Sequence, residues 1–354
     1  MQDISVSLTA RDRELYGRLA AEGLPERVFD AHVHAFERAC FPPGFDFPPR
    51  ECYRRFGGEH TLEQFQEATG TLLAGRTAGM LSFGTPHRQC DRAAAARYTG
   101  GISDNQTRFG LALVAPEDSV TELEQRLSAH RLIGYKPYRS YVTGLDAEAV
   151  RIPHILPAAQ MELANALGLA VMLHIPRESR LADPDNQRDM VELCQRYPQA
   201  QIIFAHIGRA YWYQNVVGNL DGIARCPNAW LDTAMVNHPE VLHYAFTHFP
   251  RERILFGSDA PIAWLRGKSV EINDQYAYLM AEPYAIGTAI HDPGSTVEFT
   301  FFYYEMLRAS LPAARRAGWT AADLEGFFWG NGHGLCAGVA ERLYGRGLAA
   351  PVSG

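Results

Sequence analysis

The run Phe29-Asp30-Ala31-His32-Val33-His34 places two histidines one residue apart at the end of an apolar stretch. Successive side chains of an extended strand point to opposite sides, so His32 and His34 face the same way and can share one cation through neutral imidazole nitrogens. Three further apolar runs end on residues of the same chemical kind: Val171 to Leu173 on His174, Ile202 to Ala205 on His206, and Ile254 to Ser258 on Asp259. A cap, a core histidine or a turn aspartate accounts for any one of these. Together they describe imidazoles and a carboxylate converging on a divalent ion.

The elements that must bring them together are short. Strand-like runs lie near Arg27 to His34, Ala78 to Gly84, Phe109 to Ala115, Leu132 to Pro137, Leu169 to Ile175, Gln201 to His206, Ala229 to Thr233 and Arg253 to Gly257. Helix-period segments separate them, among them Val120 to His130, His154 to Leu167, Gln187 to Tyr197 and Pro239 to Phe249, with Val297 to Ser310 after the last strand. Alternation of this kind favours a parallel sheet. A doubly wound sheet would more often open with a glycine-rich turn, whereas here the first strand runs on through Ala35-Phe36-Glu37-Arg38. The expected fold is therefore α/β, a (β/α)8 TIM-type barrel with long insertions after strands 1 and 8. The ligating residues then sit at the C-terminal strand ends, where barrel sites form. The two insertions, Ala35 to about Thr77 and Ala260 to about Thr296, rise from one sector of that face and are expected to act as a lid. With no repeat or linker in sight, residues 1–354 read as one unit.

A net charge of −7 and a pI near 6.0 exclude a general nucleic-acid or anionic-membrane surface. Neither a signal-peptide core in Met1 to Leu24 nor a stretch of bilayer-spanning length is apparent, so a cytoplasmic location is expected. The six cysteines are widely spaced and read as buried free thiols. The expected partner is a small molecule, and a homo-oligomer is an allowed assembly.

With these residues in hand, the chain resembles the amidohydrolase superfamily, which carries H-x-H on strand one, His on strands five and six and Asp on strand eight. The phrasings FDAHVH, LHIP, FAHIG and LFGSDAP are similar to its amidohydrolase-related branch of hydrolases, lactonases and nonoxidative decarboxylases. Trp329-Gly330-Asn331-Gly332-His333-Gly334 departs from the branch's closing motif. The resemblance implies that His32, His34 and His174 hold one ion per chain, Zn with Mn as the alternative, and that Asp259 ligates it or sits beside it. A Zn-type ion lowers the pKa of water from 15.7 towards about 7, giving hydroxide at neutral pH. Asp259 would then take the water's proton and pass it to the leaving group. His206 would hydrogen-bond the water or a substrate oxygen, or ligate a second ion. Lys136 ends strand four where relatives carry either a carbamylated bridging lysine or a plain ammonium that binds substrate; the ammonium is the preferred reading.

Arginines follow several strand ends, and a guanidinium fork suits a carboxylate. Arg209 with Tyr211 and Trp212 is the preferred substrate-binding trio, with Arg177 beside it. His238, His243 and His248 lie five apart on a helix-like segment and so spread over its faces. Gly330 to Gly334 reads as a turn. The expected activity is metal-assisted hydrolysis of an amide, lactone or related bond in a small metabolite, carboxylated or not. Nonoxidative decarboxylation of an unsaturated or aromatic acid is the alternative, and a catalytically silent or metal-free barrel is the third.

Overall fold

The computed structural model describes residues 6–345; the two ends of the unit expected over 1–354 lie outside those residues. Nine barrel strands follow the expected order: β1 (Arg27–His34), β2 (Thr77–Phe83), β3 (Arg108–Gly110), β4 (Ala112–Val114), β5 (Gly134–Pro137), β6 (Ala170–Leu173), β7 (Gln201–Phe204), β8 (Ala229–Asp232) and β9 (Ile254–Leu255). β3 and β4 are two halves of the third strand read from the sequence. Pairing is parallel from β1 to β3 and from β4 to β9. Leu111 N donates to Ser82 O at 2.9 Å and Ile133 N to Gly110 O at 2.9 Å, which joins the two sets. The ring is completed by discrete bonds: Ala31 N to Phe256 O, Asp259 N to His32 O and His34 N to Ala260 O, at 2.8–2.9 Å. These last bonds carry Asp259 to the end of β1.

Strands this short and apolar are buried on both faces, as parallel strands wrapped by helices must be. The interior is a separate apolar cluster containing Phe29, Leu81, Phe109, Ile133, Met172, Ile203 and Leu255. At Gly134 an added Cβ would lie 1.7 Å from the Ala170 carbonyl oxygen, so β5 and β6 approach too closely for any side chain there. In β1 the pairing register slips between Asp30 and Val33. That bulge lets Phe29 and Ala31 fill the interior while His32 and His34, of opposite parity, also turn inward further along.

The far end of the barrel is closed by the helix Asn331–Tyr344, preceded by a π turn over Gly326–Gly330. The turn expected at Gly330 to Gly334 is thus corrected to helix. One of its glycines serves packing: a Cβ on Gly332 would meet the Phe29 ring at 2.7 Å. Asn331 donates to Arg251 O and Ile254 O, both at 2.8 Å, which ties this helix to β9. The helix expected from His154 to Leu167 is split into Ile152–Ile155 and Ala158–Leu167, because Pro157 has no N–H to continue the first piece. The one expected at Val297 starts later, as Phe302–Arg316. Asp292 accepts from the backbone of Gly294 and Val297 and holds that stretch as a turn.

The second insertion contains strands the sequence reading missed. β10 (Gly267–Ile272) and β11 (Gln275–Met280) form an antiparallel hairpin, with β12 (Ala289–His291) parallel to β11. It meets the first insertion directly: Ala285 N donates to Arg50 O at 2.8 Å, and Trp264 Nε1 donates to His60 Nε2 at 3.0 Å. All six cysteines are free and buried. Among the described residues no helix is long and apolar enough to cross a membrane.

Candidate metal centre

Three imidazoles at the strand ends are anchored from behind. His34 Nδ1 lies 3.0 Å from Gly84 O, His206 Nδ1 lies 2.8 Å from Ala234 O, and His32 Nδ1 lies 3.0 Å from Asp232 Oδ2. Carbonyl and carboxylate oxygens only accept, so each Nδ1 carries the hydrogen and each neutral ring turns an Nε2 lone pair the other way. On that side stands Asp259, with Oδ1 3.0 Å from His34 Nε2 and 3.4 Å from His32 Nε2. Lone pairs facing a carboxylate oxygen repel until a cation lies among them. His32, His206 and Asp259 each offer a ligand atom, and those atoms lie within 4.8 Å of one another. The donor set fits a divalent metal, and the outer bonds are of the kind that orient ligating imidazoles.

Backbone strain positions two of the groups. His206, Ile207, Gly208 and Arg209 all adopt left-handed φ values between 53° and 62° after β7, and Asp259 has φ 68°. Such conformations cost about 1–3 kcal/mol each outside glycine and persist only where surroundings impose them. Here Asp232 Oδ1 accepts from His206 N at 2.8 Å, while Arg209 Nη1 donates to Ile175 O and Arg177 O at 3.0 Å.

Burial, with Lys136 adding to it, lowers the His32 pKa to about 4, so the ring is neutral at pH 7. Burial alone would raise Asp259, yet the surrounding imidazoles of His32, His34 and His206 outweigh it and hold the carboxyl well below its usual range. Asp232 behaves alike, burial being outweighed chiefly by His32. His174 is held well below its ordinary value by burial, then Arg209 and His206. Its ring is 5.3 Å from that of His206 and 6.3 Å from that of Tyr138. Lys136 is fully buried, and its Nζ has no hydrogen-bond partner among the described residues. It sits 4.7 Å from the Phe83 ring centroid and 5.0 Å from that of Tyr138, and burial brings its pKa down to about 8.

The expected substrate residues divide. Arg209 is near His174, Tyr211 has its ring 5.9 Å from His206, and Trp212 lies beyond, stacked on Tyr276. Arg177 is engaged elsewhere, with Asp183 at 2.8 Å, Asp185 at 3.5 Å and the Glu148 carbonyl. Arg177 thus lies next to Arg209, but its guanidinium is taken by these carboxylates rather than turned to a substrate. His238 caps the helix Pro239–His248 and pairs with Glu271 at 3.0 Å, consistent with a surface role. The sequence reading missed Asp232, although Ala229-Trp230-Leu231-Asp232 ends an apolar run on a polar residue like the others. It also missed Tyr138, whose hydroxyl is 3.5 Å from His34 Nε2, and His60, whose Nδ1 is 2.5 Å from His34 O. No spacing signal marks those two.

Comparison with known proteins adds the family. The amidohydrolase family profile matches residues 29–331. Among solved structures, an amidohydrolase from Burkholderia multivorans with bound HEPES superposes with a TM-score of 0.57 at 13% identity, over 88% of this chain and 99% of that one. A 4-oxalomesaconate hydratase from Rhodopseudomonas palustris gives 0.52 at 16% identity, over 89% and 96%. A 5-carboxyvanillate decarboxylase from Sphingomonas paucimobilis gives 0.50 at 15% identity, over 90% and 99%. At such identities the likeness establishes the barrel fold and nothing about the reaction. No curated protein matches the sequence.

Proposed function

The chain belongs to the amidohydrolase family of enzymes, and from that premise we propose that it hydrolyses an amide, lactone or related bond of a small, carboxylated metabolite with one bound divalent ion. The observation that carries the proposal is the inward turn of the His32 and His34 Nε2 atoms towards Asp259, with a ligand atom of His206 within 4.8 Å of those of His32 and Asp259. His32, His34, His174 and Asp259 would hold the ion; an imidazole-rich set with one carboxylate suits Zn, with Mn as the alternative. When bound, the ion supplies Lewis acidity and makes water a stronger acid. Asp259 takes a proton from the attacking water at its carboxylate and returns it to the leaving group. His206, beside the Tyr211 wall, accepts a hydrogen bond from the attacking water at Nε2. Lys136, as an ammonium in a buried aromatic setting, pairs with a substrate carboxylate; carbamylated, it would instead bridge two ions. Arg209, Tyr211 and Trp212 bound the substrate's other side. The free, buried thiols fit a cytoplasmic location.

A second reading is nonoxidative decarboxylation. The unpartnered Lys136 ammonium favours it, because a substrate carboxylate paired there would lie next to the ligand group. The two readings differ in what leaves. Metal-loaded protein incubated with lactones, amides and aromatic or unsaturated acids, with paired detection of CO₂, tests both. Hydrolysis without CO₂ supports the first reading, and CO₂ release from an acid with no ester or amide hydrolysis replaces it with the second.

A further inference from the structure

The wall over His206 is completed by the insertion after β9, not by the barrel. Tyr211 stacks on Tyr276 of β11, ring centroids 4.7 Å apart, and Trp212 stacks on the same ring at 5.9 Å. Arg180 lies against all three: its guanidinium carbon is 4.6 Å from the Tyr276 centroid, 4.9 Å from Trp212 and 5.5 Å from Tyr211. Its Nη2 donates to the Tyr276 hydroxyl at 3.3 Å. Ring contacts of this kind satisfy the flat faces of a guanidinium and leave its in-plane N–H groups to find acceptors. The Nε of Arg180 is buried and finds none among the described residues.

Arg209 repeats the pattern from the neighbouring loop. Its Nη1 is taken by two backbone carbonyls, and its Nε is buried with no hydrogen-bond partner among the described residues. Burial pulls it below its ordinary value; Arg180 and Arg139 press on it as like charges, and the contributions in the other direction come from Tyr211 and Tyr276 rather than from a carboxylate. The contrast with Arg177, which reaches Asp183 and Asp185 from the same loop, is direct. Arg180, against these rings, and Arg209, beside them, therefore each hold an idle in-plane donor, with no acidic partner among the described residues.

We infer that Arg180 and Arg209 bind a carboxylate at the end of the substrate remote from Asp259, across the Tyr211 and Tyr276 rings, and that the β10–β11 hairpin is a specificity element of the site. The inference deepens the small-molecule reading above and rests on it. The substrate class is a planar acid whose carboxylate lies away from the reacting bond. Guanidinium and carboxylate meet through paired N–H donors, and the rings flank the planar body.

The test is calorimetric titration of the full-length chain with benzoate and with benzamide, its neutral counterpart of the same shape, both metal-loaded and after chelation. In the chelated protein benzoate is expected to bind about tenfold or more tightly than benzamide, the scale of a charge-assisted hydrogen bond. Arg180→Gln is expected to abolish that preference, and Tyr276→Phe, which keeps the ring, to weaken it a few-fold. Equal binding of benzoate and benzamide by the wild type overturns the inference, as does a preference unchanged in both Arg180→Gln and Arg209→Gln. If the wild type takes up no metal but keeps an Arg180-dependent preference for benzoate, the metal reading fails and this one stands. Metal uptake without that preference removes this inference alone.

Discussion

The two ends of the barrel are built on opposite terms. At the N-terminal end of the strands, Phe29, Phe109 and Leu255 pack with Trp329 of the π turn and Leu335, Cys336 and Val339 of the closing helix. That end forms an apolar seal, and its polar groups Asn331 and His333 are both hydrogen-bonded to backbone carbonyls. At the C-terminal end, buried groups stand without hydrogen-bond partners among the described residues: Lys136 Nζ, Arg180 Nε, Arg209 Nε and the hydroxyl of Tyr141. Unsatisfied buried polar groups cost about 1–3 kcal/mol each, so one end contributes stability that the other spends. The lesson is that local strain and orphaned donors, more than apolar packing, mark the working end of this molecule.

The largest way to sharpen that contrast is Phe29→Ala. It opens a cavity under the closing helix, and urea denaturation should show a loss of about 3–5 kcal/mol with metal stoichiometry unchanged in the fraction that stays folded. His60→Gln tests the junction of the two insertions through pH. Burial lowers the His60 pKa from 6.5 to about 4, so the folded chain resists protonation where the unfolded chain accepts it. Stability from the neutral ring is complete above pH 6.5 and is lost as pH falls towards 4. In chelated protein the stability of the wild type relative to His60→Gln should fall by about 3 kcal/mol between pH 7 and pH 4. A flat difference would mean that the ring is not desolvated.

Asp232→Asn removes the charge that anchors His32 Nδ1, and metal affinity measured by competition with a chelator should fall about 10–100-fold with the fold retained. Lys136→Met works in the opposite sense. Replacing an unpartnered buried ammonium with a thioether should raise stability by about 1 kcal/mol while binding of acidic substrates drops. A loss of stability there would show that Lys136 is paired in solution and would break the contrast between the ends.

Much of this was legible in the sequence because apolar runs ending on His or Asp report both the strand and its functional tip. The eight strand positions, and His32, His34, His174, His206 and Asp259 as their polar tips, came from that pattern. Asp232 obeyed it and was overlooked because only the resemblance's own positions were weighed. The bulge in β1, the left-handed turn from His206 to Arg209 and the pairing of Arg177 with Asp183 depend on register and tertiary contacts that no local spacing encodes. The β10–β11 hairpin was hidden for a similar reason: its alternation is weak, and its Tyr276 acquires meaning only when Arg180, ninety-six residues away, lies against it.

The central claim is that His32, His34, His174 and Asp259 hold one divalent ion. Elemental analysis of protein purified without chelator, alongside His32→Ala and His174→Ala, tests it most directly. The account predicts about one Zn or Mn per chain in the wild type and loss of that ion in both variants. No metal as purified, and none taken up after incubation with Zn or Mn, would contradict it.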